Sequence, residues 1–222
     1  MNNKFLKWLC GIIPRFIGNG AVIFVFELMR RWHCVFGRKK YSHEGDVVPA
    51  LKQGMLIENQ AMYGKVTLGK VTMKYAGCEV IAAYNARMLL SKNDGKYDFN
   101  LIDVVKAFEC DGIVFSAKFG VAPAAVRDYM KRCGYEAAMT TNKRKFAALS
   151  DASRVLILTA YNDRMDIRNQ IHTICISKTV EGLVPHNASL FEKNKEAFAT
   201  IDELVAALSS GRAKGISLIG IR

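Results

Sequence analysis

The spacing of apolar residues along the chain predicts helices in its first two thirds and strands in its last third. Apolar positions at helical spacing predict helices at about Cys78 to Ser91, Asn100 to Glu109 and Pro123 to Cys133. After Asp151 the pattern changes to short apolar runs that are rich in β-branched residues. These runs predict buried strands at 155–161 (VLILTAY), 171–177 (IHTICIS) and 216–221 (ISLIGI).

The order of the predicted elements indicates the fold class. One more helix is predicted between the last two strands, at about 200–209, beginning at Thr200 with Glu203 in the spacing of a capping box. Helices that come first, followed by strands of one sheet, are typical of an α+β fold. We expect a helical first half packed on an antiparallel sheet.

The N-terminal segment, residues 1–40, has its own character. Its apolar runs are split by Pro14 and Arg15, and its second run is interrupted by Gly18 and Gly20, so it lacks the roughly 20 apolar residues of a spanning helix. We predict an appendage of amphipathic helices that docks on the domain, with attachment to a membrane surface as the alternative. A polar linker at 41–52 leads into the main domain, residues 41–222.

Composition narrows the class of protein. The 222 residues are enough for one substantial core, and the net charge of +12 is scattered along the chain without interleaved aromatic residues. Solvated surface is therefore favoured, and no nucleic-acid partner is expected. The six cysteines include no CxxC pair and no zinc-ligand cluster, which predicts free thiols, no metal or other cofactor, and a reducing, cytoplasmic compartment.

Cys78 is the sharpest chemical feature of the chain. Gly77 before it lets the backbone turn abruptly into the predicted helix, so the thiol lies in the first helical turn. Unpaired N–H groups and the positive end of the helix dipole lower a cysteine pKa there, and the thiolate is the nucleophilic form. The alternative interpretation is a small buried side chain at a helix start.

His172 is the second feature, because it lies at the start of an apolar strand, where an imidazole needs a polar partner. Of the other histidines, His33 lies in the appendage, His43 in the linker and His186 in a loop with a proline. His172 is thus the one histidine that we expect on a rigid strand facing a helix terminus. A hydrogen-bonded core histidine is the competing explanation.

Two amide side chains complete the candidate set. Asn187 follows the turn that Gly182 and Pro185 predict, which suits a residue returning beside the His172 strand to orient its ring. Gln60 is a candidate second donor to an oxyanion at Cys78. Asn59 is an alternative to Gln60, and a third option is that neither serves.

These residues also carry a family resemblance. The string GCEVIAAYNA, the upstream glutamine, the segment FGVAPAAVRDYMKRCGY and the His-led strand followed by Asn187 resemble the bacteriocin-processing, double-glycine leader peptidases. More narrowly they resemble the stand-alone, double-glycine-peptidase-like domains, which share the papain-like fold. The resemblance covers about Leu56 to Asn187. In transporter-linked members the oxyanion glutamine lies closer to the cysteine, at the position of Thr72 here, and an aspartate is usual where this chain has Asn187.

The resemblance implies a cysteine peptidase acting on a peptide or protein substrate. Cys78 would be the nucleophile, His172 the general base and acid, Asn187 the orienting residue and Gln60 the oxyanion-hole donor. Three other classes stay open at this point. They are a catalytically silent papain-like domain that binds peptides or assists peptide secretion, a transglutaminase-like or deamidating enzyme, and a basic membrane-surface or nucleic-acid protein.

Overall fold

The structure is a computed structural model that describes residues 18–36, 40–52, 54–95, 97–161, 171–188, 197–208 and 214–222. Its helices are α1 (Asn19–Phe36), α2 (Met73–Ala76), α3 (Cys78–Asp94), α4 (Leu101–Asp111), α5 (Pro123–Arg132), α6 (Phe146–Asp151) and α7 (Ile201–Ala207). Its strands are β1 (Thr67–Leu68), β2 (Val71–Thr72), β3 (Ala137–Thr140), β4 (Val155–Tyr161), β5 (Ile171–Thr179), β6 (Gly182–His186) and β7 (Lys214–Ile221). Two 3-10 turns cover Gln60–Tyr63 and Lys143–Lys145.

Five of these strands form one antiparallel sheet in the order β3-β7-β4-β5-β6. β4 lies at its centre, and all seven residues of that strand are buried. β1 and β2 form a separate small hairpin. The prediction of an α+β fold with an antiparallel sheet is confirmed. The three predicted strands are present, and β5 and β7 are each about two residues longer than expected.

The two faces of the sheet pack against different helices. Ile157, Cys175 and Ile219 join the core that α3, α4 and α5 form. Their sheet neighbours on the opposite face, Leu158, Ile174 and Leu218, join a second core with α7. Because side chains alternate along a strand, the odd-numbered positions of β5 point toward α3. Thr173, one of these positions, contacts Glu79 in the first turn of α3, and His172 lies at the adjacent, alternate position of the strand.

Capping residues explain where several helices begin and end. Asn100 and Asp103 form a reciprocal capping box at the start of α4. Thr200 accepts from the Glu203 N–H at the start of α7, as its sequence predicts. α3 continues past the predicted end and stops at Gly95, whose φ of 67° is the left-handed conformation that glycine adopts without steric cost.

Gly77, before α3, is required for space. Its φ is −95°, which any residue can adopt, so its backbone conformation does not itself require glycine. A Cβ at this position would lie 2.6 Å from the Met73 carbonyl oxygen and 2.7 Å from the Met73 sulfur. The close packing of α2 under the start of α3 therefore excludes a side chain.

β3 and β6 were not predicted. β6 contains Pro185, and the sequence analysis placed His186 in a loop. A proline is tolerated in a strand at the sheet edge, where its missing N–H breaks no ladder bond, and β6 is an edge strand. The prediction that His172 alone lies on a strand was therefore wrong, because His186 also does.

The described part of the N-terminal appendage is α1. Val22 and Ile23 of this helix pack with Tyr161 and Ile216, and the predicted helical content of residues 1–17 lies outside the described residues. Across the described ranges no helix is both long enough and apolar enough to cross a bilayer.

The predicted linker, 41–52, contains no helix or strand but is tied to the domain. His43 bonds Asp46 at 2.8 Å and the Glu109 carboxylate at 2.9 Å. The same Glu109 carboxylate accepts from the backbone of Gly69, between β1 and β2. This polar cluster fixes the segment against α4.

Replacing Gly77 with alanine should destabilise the protein. The new methyl group would meet a backbone oxygen that α2 holds in place, and such overpacking costs ~1–3 kcal/mol. Gly45→Ala is the matched control, because no atom lies within 4 Å of the position that its Cβ would take. Urea unfolding of both variants checks this, and equal stability of the two would contradict the steric account of Gly77.

Candidate functional site

The four residues singled out in the sequence lie in one connected region, at the first turn of α3 and the adjoining ends of β5 and β6. The backbone N–H of Thr173, the residue after His172, donates to the Cys78 sulfur. Asn187 contacts His172 and Gln60, and Gln60 in turn contacts α2, which leads into Cys78. Residues from four distant stretches of sequence thus converge, while their roles in catalysis stay predictions.

The Cys78 thiol is buried and protonated at rest. Burial raises the pKa of Cys78 well above its usual range, and the neighbouring Glu79 carboxylate raises it further. The thiol donates to Glu79 Oε2 at 3.2 Å. The expected lowering of this pKa by the helix N-terminus is therefore wrong, because desolvation and a like charge outweigh the helix dipole and the Thr173 N–H.

Glu79 is a buried carboxyl group in direct contact with the candidate nucleophile. The hydroxyl of Thr173 donates to its Oε1 at 3.3 Å, and the backbone N–H of Val121 also donates to the carboxylate. Burial nevertheless dominates and raises the pKa of Glu79 to about 7. The charge beside the Cys78 sulfur therefore changes near neutral pH.

A strained loop brings the Val121 N–H to Glu79. Phe115, Ser116 and Ala117 are three consecutive non-glycine residues with φ between 48° and 67°. This left-handed conformation costs roughly 1–2 kcal/mol per residue. The loop returns to the site at Gly120, where a Cβ would lie 3.1 Å from Glu79 Oε2. The segment FGVAPAAVRDYMKRCGY, noted for its family resemblance, includes this return.

The His172 ring is held by a backbone carbonyl. His172 is buried, and its Nε2 lies 3.0 Å from the carbonyl oxygen of Asn187. A carbonyl oxygen only accepts, so Nε2 carries a proton and donates it to this bond. In its predicted role as base, His172 would therefore use Nδ1.

Asn187 thus contacts His172 through a different atom from the one predicted. Its side chain was expected to orient the imidazole, but it bonds Gln60 instead, with Oδ1 accepting from the Gln60 backbone N–H and Nδ2 donating to Gln60 Oε1. The backbone of Asn187 is in the left-handed conformation, with a φ of 58°. Asparagine is one of the few side chains that adopt it readily.

Gln60 connects α2, which precedes Cys78, with Asn187, which contacts His172. Its Nε2 donates to the Lys74 carbonyl oxygen of α2 at 3.1 Å, while its Oε1 accepts from Asn187. The bond to Lys74 uses one of the two amide hydrogens. The alternative candidate, Asn59, accepts from the Ala61 N–H and so caps the 3-10 turn. Gln60 as the oxyanion donor stays a prediction.

The Glu58 carboxylate holds the backbone of Asn187 in place. Glu58 accepts from His186 Nδ1 at 2.8 Å through one oxygen and from the Asn187 N–H at 3.2 Å through the other. His186 Nε2 lies 2.8 Å from the Ser177 hydroxyl. The carboxylate of Glu58 therefore fixes the backbone of Asn187, whose carbonyl holds His172.

Sequence reasoning missed Glu79, Glu58 and His186. The signal for Glu79 was a charged residue directly after Cys78 and directly before the apolar run 80–84 (VIAAY). His186 was discounted because Pro185 suggested a loop. No spacing in the sequence indicates Glu58, because its partners come from a strand more than a hundred residues later.

Comparison of the chain with protein-family models, with curated proteins and with solved structures found no match. The function is therefore inferred from the site itself.

Replacing Glu79 with glutamine should flatten the dependence of stability on pH. The pKa of Glu79 is about 7 in the folded protein, above its ordinary 4.5. Between these values the folded state keeps a proton that the unfolded chain loses, so the free energy of unfolding falls as pH rises, by up to ~3 kcal/mol. Glu79→Gln removes this loss.

Urea unfolding between pH 4.5 and 7.5 measures the effect. Glu181→Gln is the control, because Glu181 is fully exposed and should leave the pH slope unchanged. A slope in Glu79→Gln equal to that of the parent protein would contradict the buried carboxyl as its source.

Proposed function

We propose that this protein is a papain-like cysteine peptidase, related to the double-glycine leader peptidases, with Cys78 as nucleophile and His172 as general base and acid. One observation supports it most: the Cys78 sulfur accepts a hydrogen bond from the backbone N–H of Thr173, the residue next to His172. His172 in turn donates from Nε2 to the Asn187 carbonyl. A thiol at a helix N-terminus, with an imidazole on the residue next to its backbone hydrogen-bond donor, is suited to acyl transfer.

The proposed reaction has two steps. Nδ1 of His172 takes the Cys78 proton while the sulfur bonds to the carbonyl carbon of the substrate, and the tetrahedral oxyanion that forms is held by N–H groups in the first turn of α3 and by Gln60. The C–N bond breaks as His172 gives its proton to the leaving amine, which leaves a thioester. Water then loses a proton to His172 and attacks the thioester, and the thiolate leaves and regains that proton.

The buried charge of Glu79 bears on the first step. Because the pKa of Cys78 is raised, a resting thiolate–imidazolium pair is not favoured, and proton transfer would accompany the attack on substrate. An ionised Glu79 opposes a negative sulfur at close range, whereas a protonated one can donate to it. Activity should therefore be higher when the Glu79 carboxyl group is protonated than when it is ionised.

The burial of Cys78 and its raised pKa also favour a second candidate, the catalytically silent papain-like domain that binds peptides. In that case the polar groups around Cys78 and His172 would only satisfy buried hydrogen bonds. The two candidates differ in whether Cys78 forms a covalent bond with an electrophile presented as a substrate.

A peptide ending in a Gly-Gly chloromethyl ketone should alkylate Cys78 and none of the other five cysteines. The thiol must lose its proton before the sulfur displaces chloride, as it must in the first step of hydrolysis, and the thioether adduct that forms is stable. Intact mass spectrometry, followed by peptide mapping, measures it. Cys78→Ala should abolish the adduct and His172→Ala should slow it by about 100-fold or more.

Cys175→Ala is the matched control, because Cys175 is also buried with a raised pKa but lies in the core, and the adduct should form at the parental rate. Absence of any adduct, with the parent shown to be folded, favours the silent domain. An unchanged rate in His172→Ala would remove His172 as the base.

Asn187→Gly and Asn187→Ala should differ. If Asn187 acts through its backbone carbonyl, glycine, which adopts a φ of 58° without cost, keeps the bond to His172, whereas alanine does not favour that conformation. We expect the adduct rate of Asn187→Gly to stay within about tenfold of the parent and that of Asn187→Ala to fall further. Equal loss in both variants would mean that the side chain carries the effect.

A further inference from the structure

α1 presents an apolar stripe away from the domain. Along one side of this helix five large hydrophobic side chains are between 43% and 70% exposed: Phe24, Val25, Leu28, Trp32 and Val35. Single exposed hydrophobic residues are ordinary, but a contiguous group of this kind marks an interaction surface. We refer to these five residues as the α1 stripe.

The geometry of the helix shows that the stripe is a continuous surface. At 100° per residue, its five residues fall within an arc of roughly 100°. The opposite side of α1 is occupied by the domain: Val22, Ile23 and His33 are buried. Arg30 fixes the helix further, because its guanidinium pairs with Asp128 at 2.9 Å. The helix cannot bury the stripe by rolling without breaking these contacts.

The N-terminal sequence that contains the stripe is strongly basic. Residues 1–43 contain eight lysines and arginines and a single acidic residue, Glu27. The Glu27 carboxylate is turned toward Arg30 and Arg31. Arg31 lies at the edge of the stripe, roughly 20° outside its arc on the side of Phe24, with its side chain 76% exposed. Exposed Lys40 follows the helix, after Arg38 and Lys39 in the sequence.

We propose that the α1 stripe binds the surface of an anionic lipid bilayer, with the helix lying parallel to the membrane plane. An apolar face flanked by basic residues and containing a tryptophan is suited to the boundary between headgroups and acyl chains. The helix is 18 residues long and, like every other described helix, does not qualify as a membrane span. It therefore lies on the membrane.

Charge complementarity favours lipid over two other occupants of the stripe. A second copy of this chain would bring its own basic N-terminal region against Arg31, and like charges repel. Residues 1–17 would bring Lys4, Lys7 and Arg15 to the same place. Anionic headgroups instead neutralise these charges, each worth about 1 kcal/mol near such a surface.

Vesicle flotation with the full chain tests the proposal. The protein should float with vesicles of phosphatidylglycerol and phosphatidylcholine, and much less with phosphatidylcholine alone or in high salt. The double variant Leu28→Asp/Trp32→Asp should weaken binding by about tenfold or more. Val180→Asp is the matched control, because Val180 is 99% exposed in the β5–β6 turn and far from α1 in sequence; it should bind like the parent.

A spectroscopic measurement places the contact. The chain has two tryptophans, so in a Trp8→Phe background the emission of Trp32 alone should shift to the blue when anionic vesicles are added. Three outcomes would overturn the proposal. They are parental binding by the double variant with no shift of Trp32, binding that appears only after residues 1–17 are deleted, and a dimer in solution that the double variant converts to a monomer that binds no vesicles.

Discussion

The carboxyl group of Glu79 is the constraint on which the candidate site depends. It is buried 3.2 Å from the Cys78 sulfur and needs several donors to remain there. Thr173 of β5 supplies one and Val121, at the end of the strained loop, supplies another. The bonds to Glu79 therefore bring β5 and the loop to the start of α3, and His172 directly precedes Thr173 in β5. A hydrophobic residue at position 79 would impose no such convergence.

Backbone strain in the described residues occurs close to the groups that donate hydrogen bonds to the carboxylates of Glu79 and Glu58. The non-glycine residues with positive φ are Phe115, Ser116, Ala117 and Asn187. The first three belong to the loop that delivers an N–H group to Glu79, and Asn187 donates its own N–H to Glu58. Each such residue costs on the order of 1–3 kcal/mol unless its surroundings fix it. Backbone bonds to Phe115, Ser116 and Ala117 hold the loop, and the bond to Glu58 holds Asn187, whose carbonyl contacts the His172 ring.

The regular elements could be predicted from the sequence because their signals are local. The apolar spacing of α3, the proline and asparagine at helix starts, and the β-branched runs of β4, β5 and β7 each act within a few residues. β6 was missed because Pro185 is compatible with a loop and with an edge strand but not with a central strand. The sequence does not show which strand lies at the edge of the sheet. The four candidate residues were chosen by residue type and position. Their contacts could not be predicted, because Asn187 contacts His172 through its backbone and Gln60 bonds the Lys74 carbonyl.

The pKa of Cys78 shows why local rules were insufficient at the site. A helix N-terminus stabilises a thiolate by a modest amount, whereas complete burial next to a carboxylate acts in the opposite direction and is larger. Sequence spacing predicts the first effect but not the second, because burial depends on the packing of α3 against β5.

His172 and the α1 stripe are connected through one small hydrophobic core. Val22 and Ile23 on the inner side of α1 pack with Tyr161 and Ile216, and Ile171 lies against the same group. Ile171 directly precedes His172 in β5. The position of the imidazole therefore depends on the seating of α1, whose outer side carries the apolar stripe. If lipid binds that outer side, the membrane contact also stabilises the small core next to His172. The N-terminal helix would then help to position His172 although none of its own side chains lies in the site.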